Sequence, residues 1–467
     1  MTAFGIEEKK KLVPYCDREK LLEELNNVES FIESMLKNKA SAGEIERVFC
    51  RVKDIRATAK RCKNLTTLDD VELYEIKYFA LLTRELIEAY ENLNLNINCI
   101  KLRSLEKVVS ILDPENKKLS TFYIYDSYSD NLKLIREKKK KLEELIFKES
   151  KEEEAARLKA LRMKVVIEEQ EEELIIRKDL TEKLSSFAEL IEENIYSIGR
   201  LDFLMAKSKL ALSYEGIKPN ITENMKISLR NMFNPEVSET LKAKGKPFIP
   251  VSVELNCGTT VITGANMGGK SVALKTIVLN VLLAQYGFYV FAKEAEIPIL
   301  SFIYFISDDM QSVSKGLSTF GAEIVKLKEV IEDAQSSQGF IALDEFARGT
   351  NPKEGLYLVK AICKYLNIYK SISVISTHYD GAVSENMTHY QVIGLKNIDF
   401  NLLRQRIKSD KINSVSLIQE HMDYRLEKVN THSEVPKDAL NICTLLGLQD
   451  DVIDIAREEY RDNGYGE

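Results

Sequence analysis

Residues 259–283 read TTVITGANMGGKSVALKTIVLNVLL. The first five are apolar or β-branched, as a buried strand requires, and the last twelve carry the apolar periodicity of a helix. Between them runs Gly264-Ala265-Asn266-Met267-Gly268-Gly269-Lys270-Ser271, a complete G-x-x-x-x-G-K-S, with Val272 opening the apolar helix. Each residue type has a physical reason to be there. Glycines let the backbone curl so that successive N–H groups point inward at the positive end of a helix, which makes an anion cradle. A lysine in the seventh position reaches the outer phosphates of a nucleotide, and the serine after it offers a hydroxyl to Mg²⁺. Strand, cradle and helix in that order predict a nucleotide-binding α/β fold.

Working outward, Phe340-Ile-Ala-Leu-Asp344-Glu345 is an apolar strand that ends in two carboxylates. Asp344 is expected in the Mg²⁺ shell, and Glu345 as the general base that polarises an attacking water. Ser376-Thr377-His378-Tyr379 follows another apolar run, Ile372–Ile375, which puts His378 at a strand end where it can contact the terminal phosphate or the water. Gly316-Leu-Ser318-Thr319-Phe-Gly321 has hydroxyls where a helix N-cap belongs. Within one molecule that is a cap; across a dimer it completes a neighbour's site. Strands are expected at Thr260–Thr263, Phe302–Ile306, Gly339–Leu343 and Ser373–Ser376, with helices at Lys270–Ala284, Ala322–Asp333 and Lys353–Leu366. Alternation of this kind argues for a mainly parallel sheet.

The first half of the chain has a different texture. Of the 20 glycines only Gly5, Gly43, Gly199 and Gly216 precede residue 217, and of the 9 prolines only Pro14 and Pro114 do, so long helices are favoured there. Leu21, Leu22, Leu25, Val28, Phe31 and Ile32 keep helical spacing. One interruption, Asn92–Ile124, alternates with period two and reads as a short hairpin or a loop. Residues 131–196 carry charges of both signs beside a thin apolar stripe, the pattern of an antiparallel helical arm; the Lys138–Lys141 run inside it is largely neutralised by Glu137, Glu143 and Glu144. The expected division is a helical region over 1–215, an ATPase domain over 216–433 and a helical segment over 434–467, for which the resemblance described below implies a dimerisation role.

Composition excludes several classes. A net charge of −7 rules out a purely basic nucleic-acid coat. Seven cysteines with no C-x-x-C pair read as reduced thiols rather than metal ligands. No signal peptide is evident, and the most apolar stretch, Val278–Ala292, is broken by Asn280, Gln285 and Gly287, so no membrane span and a cytoplasmic location are expected.

TGANMGGKS, DDMQSVSKGLSTFGAE, LDEFARGTNPKEG and STHYD, in that order and spacing, resemble the ATPase domain of the MutS family of mismatch-repair proteins. DSYSDNL followed by KLIREKKKKLEEL looks like that family's helical lever, GRLDFLMAK like the end of its core helices, and NICTLLGLQDDVIDIAREEY like its dimerisation helices. The resemblance implies an α/β P-loop NTPase of ABC type behind a mostly α-helical lever and core region. It also implies a homodimer that binds and hydrolyses ATP with Mg²⁺ in composite sites. Ser318 and Thr319 then become trans contacts to the partner's ATP, Asn266 helps position the terminal phosphate, and His378 becomes the switch histidine. An aromatic or histidine packs on the adenine in this family, and Phe248 and His421 are the candidates. Arg348 matches an arginine of the mismatch-repair members, while Asn351-Pro-Lys-Glu departs from their usual sequence.

The chain has no room for the family's mismatch-reading and connector domains. Phe31-Ile-Glu33 fits the mismatch wedge only as a tripeptide and is expected to be core plus surface. With Glu467 following soon after the dimerisation-like segment, the C-terminal nuclease of another branch is not expected here. ITGANMGGKSVALKTI, GLSTFGAE, ARGTNPKEG, STHYDG and MDYRL with VPKDALNI are similar, more narrowly, to MutS-related proteins linked to adenosylcobalamin-dependent lysine or ornithine aminomutases. In those the protein is the ATPase part of a reactivating factor with a small accessory subunit. Two loads on the arms therefore follow: mismatched or branched DNA, or a mutase client.

Overall fold

A computed structural model describes residues 1–117, 121–243, 245–264, 269–307, 319–395, 423–430 and 439–462. The chain divides into two compact units, one of residues 1–12 and 27–209, the other of residues 13–26 and 210–467.

The first unit is helical: α1 (Ala3–Lys10), most of α2 (Arg18–Lys37), α3 (Lys39–Arg51), α4 (Arg56–Lys63), α5 (Asp70–Glu91), α6 (Glu106–Leu112), α7 (Asp130–Lys148), α8 (Glu152–Ser185) and most of α9 (Ala188–Ser213). Asn and Asp side chains set the breaks. Asn38 caps α3 by accepting from Ser41, and Asp69 forms a reciprocal capping box with Glu72 at the start of α5. The period-two stretch over 92–124 forms turns and the short α6, with no strand among its described residues. Alternation there reports side chains that dip into the helical core, Leu93, Ile97 and Ile100, rather than a pleat. Phe31 is fully buried and Glu33 exposed, so that tripeptide is core plus surface, as expected.

The charged block, read over 131–196, forms an antiparallel pair of α7 and α8 that ends at Ser185, and residues 188–196 belong instead to α9. Lys138 pairs with Glu168 at 3.2 Å and Arg162 with Glu143 at 2.7 Å, which sets α7 and α8 head to tail. Ser129 caps α7 and also donates to Glu172 across the hairpin at 2.6 Å. At the root Arg136 gathers the Ile124 carbonyl (2.7 Å), Asp126 (2.5 Å), Glu169 (3.1 Å) and Glu173 (2.9 Å). Just below, the buried Asp113 accepts from the Tyr125 hydroxyl at 2.7 Å and lies 3.3 Å from the buried Lys77 ammonium. The Lys138–Lys141 run is partly used internally, since Lys138 and Lys139 engage Glu168 and Glu169.

The second unit holds two sheets. Its strands are β1 (Asn220–Thr222), β2 (Lys226–Met232), β3 (Val251–Asn256), β4 (Gly258–Thr263), β5 (Glu294–Pro298), β6 (Ile303–Ser307), β7 (Phe340–Asp344), β8 (Ile372–Ser376), β9 (Thr388–Gly394) and β10 (Asp423–Val429). Its helices are α10 (Pro235–Ala243), α11 (Lys270–Gln285), α12 (Thr319–Ser336), α13 (Pro352–Leu366), α14 (Ala439–Leu445) and α15 (Asp450–Asp462). The larger sheet runs β10-β9-β4-β8-β7-β6, parallel except for the β9–β10 pair. Every residue of β4, β7 and β8 is buried, as strands covered on both faces must be. Period two sorts their side chains. Ile262, Phe340, Ala342 and Val374 pack with Leu274, Ile277 and Val281 of α11, whereas Val261, Ile341, Leu343 and Ile375 pack with Val330 of α12 and Val359 and Ile362 of α13.

The smaller sheet, β1-β5-β2-β3, was not foreseen. Its strand β3 alternates buried and exposed residues, the signature of a sheet covered on one face. Among the described residues no helix is long and apolar enough to cross a membrane.

The arm root yields a direct expectation. Replacing Arg136 with Ala leaves Glu169, whose side chain is only 10% exposed, with Lys139 as its remaining cation, and should cost the helical unit on the order of 2 kcal/mol. Hydrogen exchange should then quicken at residues 124–136; unchanged protection there would show that Arg136 does not hold the root.

Candidate functional site

The strand order brings the motifs together. β4 lies beside β8, and β8 beside β7, with Ile262 opposite Ser376 and Ser376 opposite Asp344. The carboxyl ends of three neighbouring strands therefore meet at one sheet edge, where open α/β sheets present their ligand crevice. Gly269 precedes α11 with φ +88°, a left-handed conformation that glycine adopts without strain. Residues 265–268, and with them Ala265, Asn266, Met267 and Gly268, lie outside the described residues, as do Ser318 and His421.

Lys270 opens α11, and its side chain is 3% exposed. Its ammonium donates to the Gly264 carbonyl at 2.9 Å, back across the mouth of the loop, and stands 3.6 Å from a Glu345 oxygen. Burial pulls the Lys270 pKa below the usual ammonium range, and the Glu345 carboxylate opposes that pull. Next along the helix, Ser271 donates from its hydroxyl to Asp344 at 2.9 Å, and Ser376 donates to the same oxygen at 2.6 Å. A hydroxyl and a carboxylate in contact form a small all-oxygen donor set, the kind a hard cation such as Mg²⁺ takes. Val272, in the first turn of α11, is partly exposed.

Glu345 sits one residue past β7 with φ +47°, and Ala347 follows at φ +62°, so two non-glycine residues hold the left-handed region within one turn. The turn is fastened from outside. The Glu345 N–H donates to the backbone carbonyl of Ser376 and to its hydroxyl, both at 3.1 Å. The Ala347 N–H donates to the buried Glu323 at 3.1 Å, and the Ala347 carbonyl accepts from the Tyr379 hydroxyl at 3.3 Å. The Glu345 carboxylate is thereby aimed at Lys270, with Arg348 donating to its other oxygen at 2.8 Å.

His378 follows β8, and its Nδ1 is buried with no hydrogen-bond partner among the described residues. Burial depresses its pKa, with nearby Lys270 adding to the effect and Glu345 opposing it, so the ring is neutral at pH 7. Thr319 opens α12 and Phe248 lies partly exposed in the loop before β3.

Sequence reasoning missed three participants. Ser376 is the second hydroxyl on Asp344, and Glu323 caps the strained turn. Tyr424, on β10, packs its ring against Gly269 so closely that a Cβ there would overlap it. Ser376 stood inside the STHYD motif and Glu323 beside the GLSTFG motif. Tyr424 lies about 155 residues from the loop it covers, and only the β9–β10 pairing reveals it. That edge is held by His389, 2% exposed, whose Nε2 meets the Thr263 hydroxyl at 2.8 Å and whose Nδ1 meets the Asn430 carbonyl at 3.0 Å.

Two expectations follow. Gly269→Ala forces both a left-handed alanine and a clash with Tyr424. It should cost about 1–3 kcal/mol in thermal unfolding, with Tyr424→Ala in the same chain relieving only part. Wild-type stability in the Gly269→Ala variant would exclude this packing. Burial also holds His378 and His389 below the ordinary imidazole value of 6.5. As pH falls through that value the unfolded chain takes protons that the folded chain refuses. Stability is therefore full above it and declines below it. The urea midpoint should drop between about pH 7.5 and about pH 5.5, and His389→Gln should lessen the drop; an unchanged slope would count against it.

Residues 260–461 match the family model of MutS domain V. The chain is similar to a protein described as Endonuclease MutS2 from Carboxydothermus hydrogenoformans, 34% identical over 206 residues, which are 44% of this chain and 26% of that one. The Endonuclease MutS2 of Acetivibrio thermocellus is 32% identical over 204 residues (43% and 25%), and that of Halothermothrix orenii 35% over 205 residues (44% and 25%). The chain thus spans about a quarter of the length of these curated relatives. The matched stretch takes in the phosphate-type loop, both carboxylates and His378, and over it the chain is similar to MutS domain V.

Proposed function

We propose that this protein is an ATPase of the P-loop, MutS type, acting as a homodimer whose nucleotide cycle moves the helical arms. The observation that carries the reading is the Ser271–Asp344 contact beside the buried Lys270, at the edge where β4, β7 and β8 end, inside the stretch matched to MutS domain V. On this reading the loop from Gly264 to Ser271 cradles the phosphates, and Lys270 turns from Gly264 and Glu345 toward the β- and γ-oxygens. Ser271 and Asp344 are the residues that would hold Mg²⁺. The ion supplies charge neutralisation on the phosphates. Lys270's departure frees the Glu345 carboxylate on one side; its place beside the loop suits it to orient and deprotonate a water, with the neutral His378 next to it as a hydrogen-bond partner. Ser318 and Thr319 remain proposed as contacts to the partner's ATP. For the adenine, Tyr424 joins Phe248 and His421 as a candidate, because its ring already borders the loop.

For the load on the arms we favour DNA, in keeping with the MutS2 relatives. The reading with an adenosylcobalamin-dependent aminomutase and an accessory subunit as partners rests on motif resemblance alone. Lys270→Ala should abolish tight nucleotide binding, measured with a fluorescent ATP analogue. Glu345→Gln should keep binding and slow turnover by ~10²–10⁴-fold. Normal hydrolysis by the Glu345 variant would reassign the base. Affinity for branched or mismatched DNA that falls steeply with salt supports the DNA load; none at any salt, with ATP present, removes it.

A further inference from the structure

Helix α8 carries two seams. The inner one, Leu158, Arg162, Val165, Glu169, Glu172 and Ile176, advances by alternating steps of four and three residues and faces α7. The outer one, Ala156, Ala160, Met163, Ile167, Gln170 and Leu174, advances by the same steps, displaced by two residues and so nearly opposite on the helix. Every position of the outer seam is exposed, with Met163 at 60%, Ile167 at 48% and Leu174 at 40%. A one-sided hairpin needs a single seam; a second, with the spacing of a coiled coil, is a surface built for another helix.

The charges beside the outer seam say which helix. Arg157, Lys159 and Lys164 flank its distal half, Glu171 and Glu173 its proximal half. In a parallel pair Lys159 would face Lys164 of the second helix on both sides, which is repulsive. In an antiparallel pair of the same helix, with Met163 beside Ile167 of the second copy, Arg157 meets Glu171, and Lys159 meets Glu173, a carboxylate that Arg136 of its own hairpin already holds at 2.9 Å. Symmetry makes each contact twice. Val166 meets its counterpart, and Lys164 forms the single like-charged pair. The seam spans residues 156–174, about 28 Å of helix. That is short for a lone coiled coil, but α8 is already ordered against α7, so the cost of forming the helix does not fall on the association.

We infer that the outer face of α8 docks against the same face of a second copy of this chain, antiparallel about a two-fold axis near residues 163–167, joining two arms into a four-helix contact. The inference stands apart from the nucleotide reading, since it uses only the arm and is read without ATP.

The test is disulfide trapping in the full-length chain. A Met163→Cys/Ile167→Cys variant is oxidised at micromolar concentration, with the wild-type chain giving the background from its exposed Cys16, Cys50 and Cys257. A cross-linked dimer above that background is expected. Adding Arg157→Glu or Glu171→Arg singly should lower its yield about tenfold, because attractive pairs become repulsive ones, and adding both should restore it. No cross-link above background would overturn the inference. So would a cross-link indifferent to the single reversals, or a double reversal that fails to restore it, either of which would assign the seam to a different protein.

Discussion

One carboxylate oxygen ties the second unit's chemistry together. Asp344 ends β7 and accepts the hydroxyls of Ser271, at the start of α11, and Ser376, at the end of β8. Three chain segments separated by roughly 30 to 75 residues meet on that oxygen. Their approach is set by the parallel register of β4, β8 and β7. Glu345 inherits its direction from the same junction, because its N–H is held by Ser376. The left-handed turn that follows is affordable only where neighbours fix it on several sides, and here Ser376, Glu323 and Tyr379 do so.

Much of this was legible in the residues. The glycine loop, the strand before it and the helix after it have local causes, and all three of the helices expected at 270, 322 and 353 form within a few residues of their expected bounds. The central strands were legible because burial on both faces makes them continuous apolar runs. The smaller sheet was not. β5 reads Glu-Ala-Glu-Ile-Pro, and its polar residues hide a strand whose exposed face is open to water. β1 has only three residues, too few for any period to declare itself. The functional residues missed were of the same kind. Ser376, Glu323 and Tyr424 act through partners distant in the chain, and no local pattern marks a hydroxyl as belonging to a carboxylate 32 residues away.

The helical unit illustrates the converse. Its helices follow from an absence of breakers and a supply of Leu, Lys and Glu, but what shapes it is polar. Arg136 and the Lys77–Asp113–Tyr125 group sit where the arm meets its base, so the arm is anchored by charges that suit one geometry only. Apolar packing alone would let two helices slide by a turn at little cost; five acceptors around one guanidinium, the Tyr123 hydroxyl among them, do not.

The buried ammonium of Lys270 has one more consequence. Its side chain is 3% exposed, and a backbone carbonyl and a carboxylate stand against the ammonium where water otherwise would. On the phosphate-binding reading proposed for Lys270, an incoming polyanion would displace protein oxygens rather than ordered water around that cation, and the dehydration that ionic recognition ordinarily demands at the moment of encounter would already have been met during folding. On the same reading a weak, singly charged anion would offer the lysine little more than Glu345 does already.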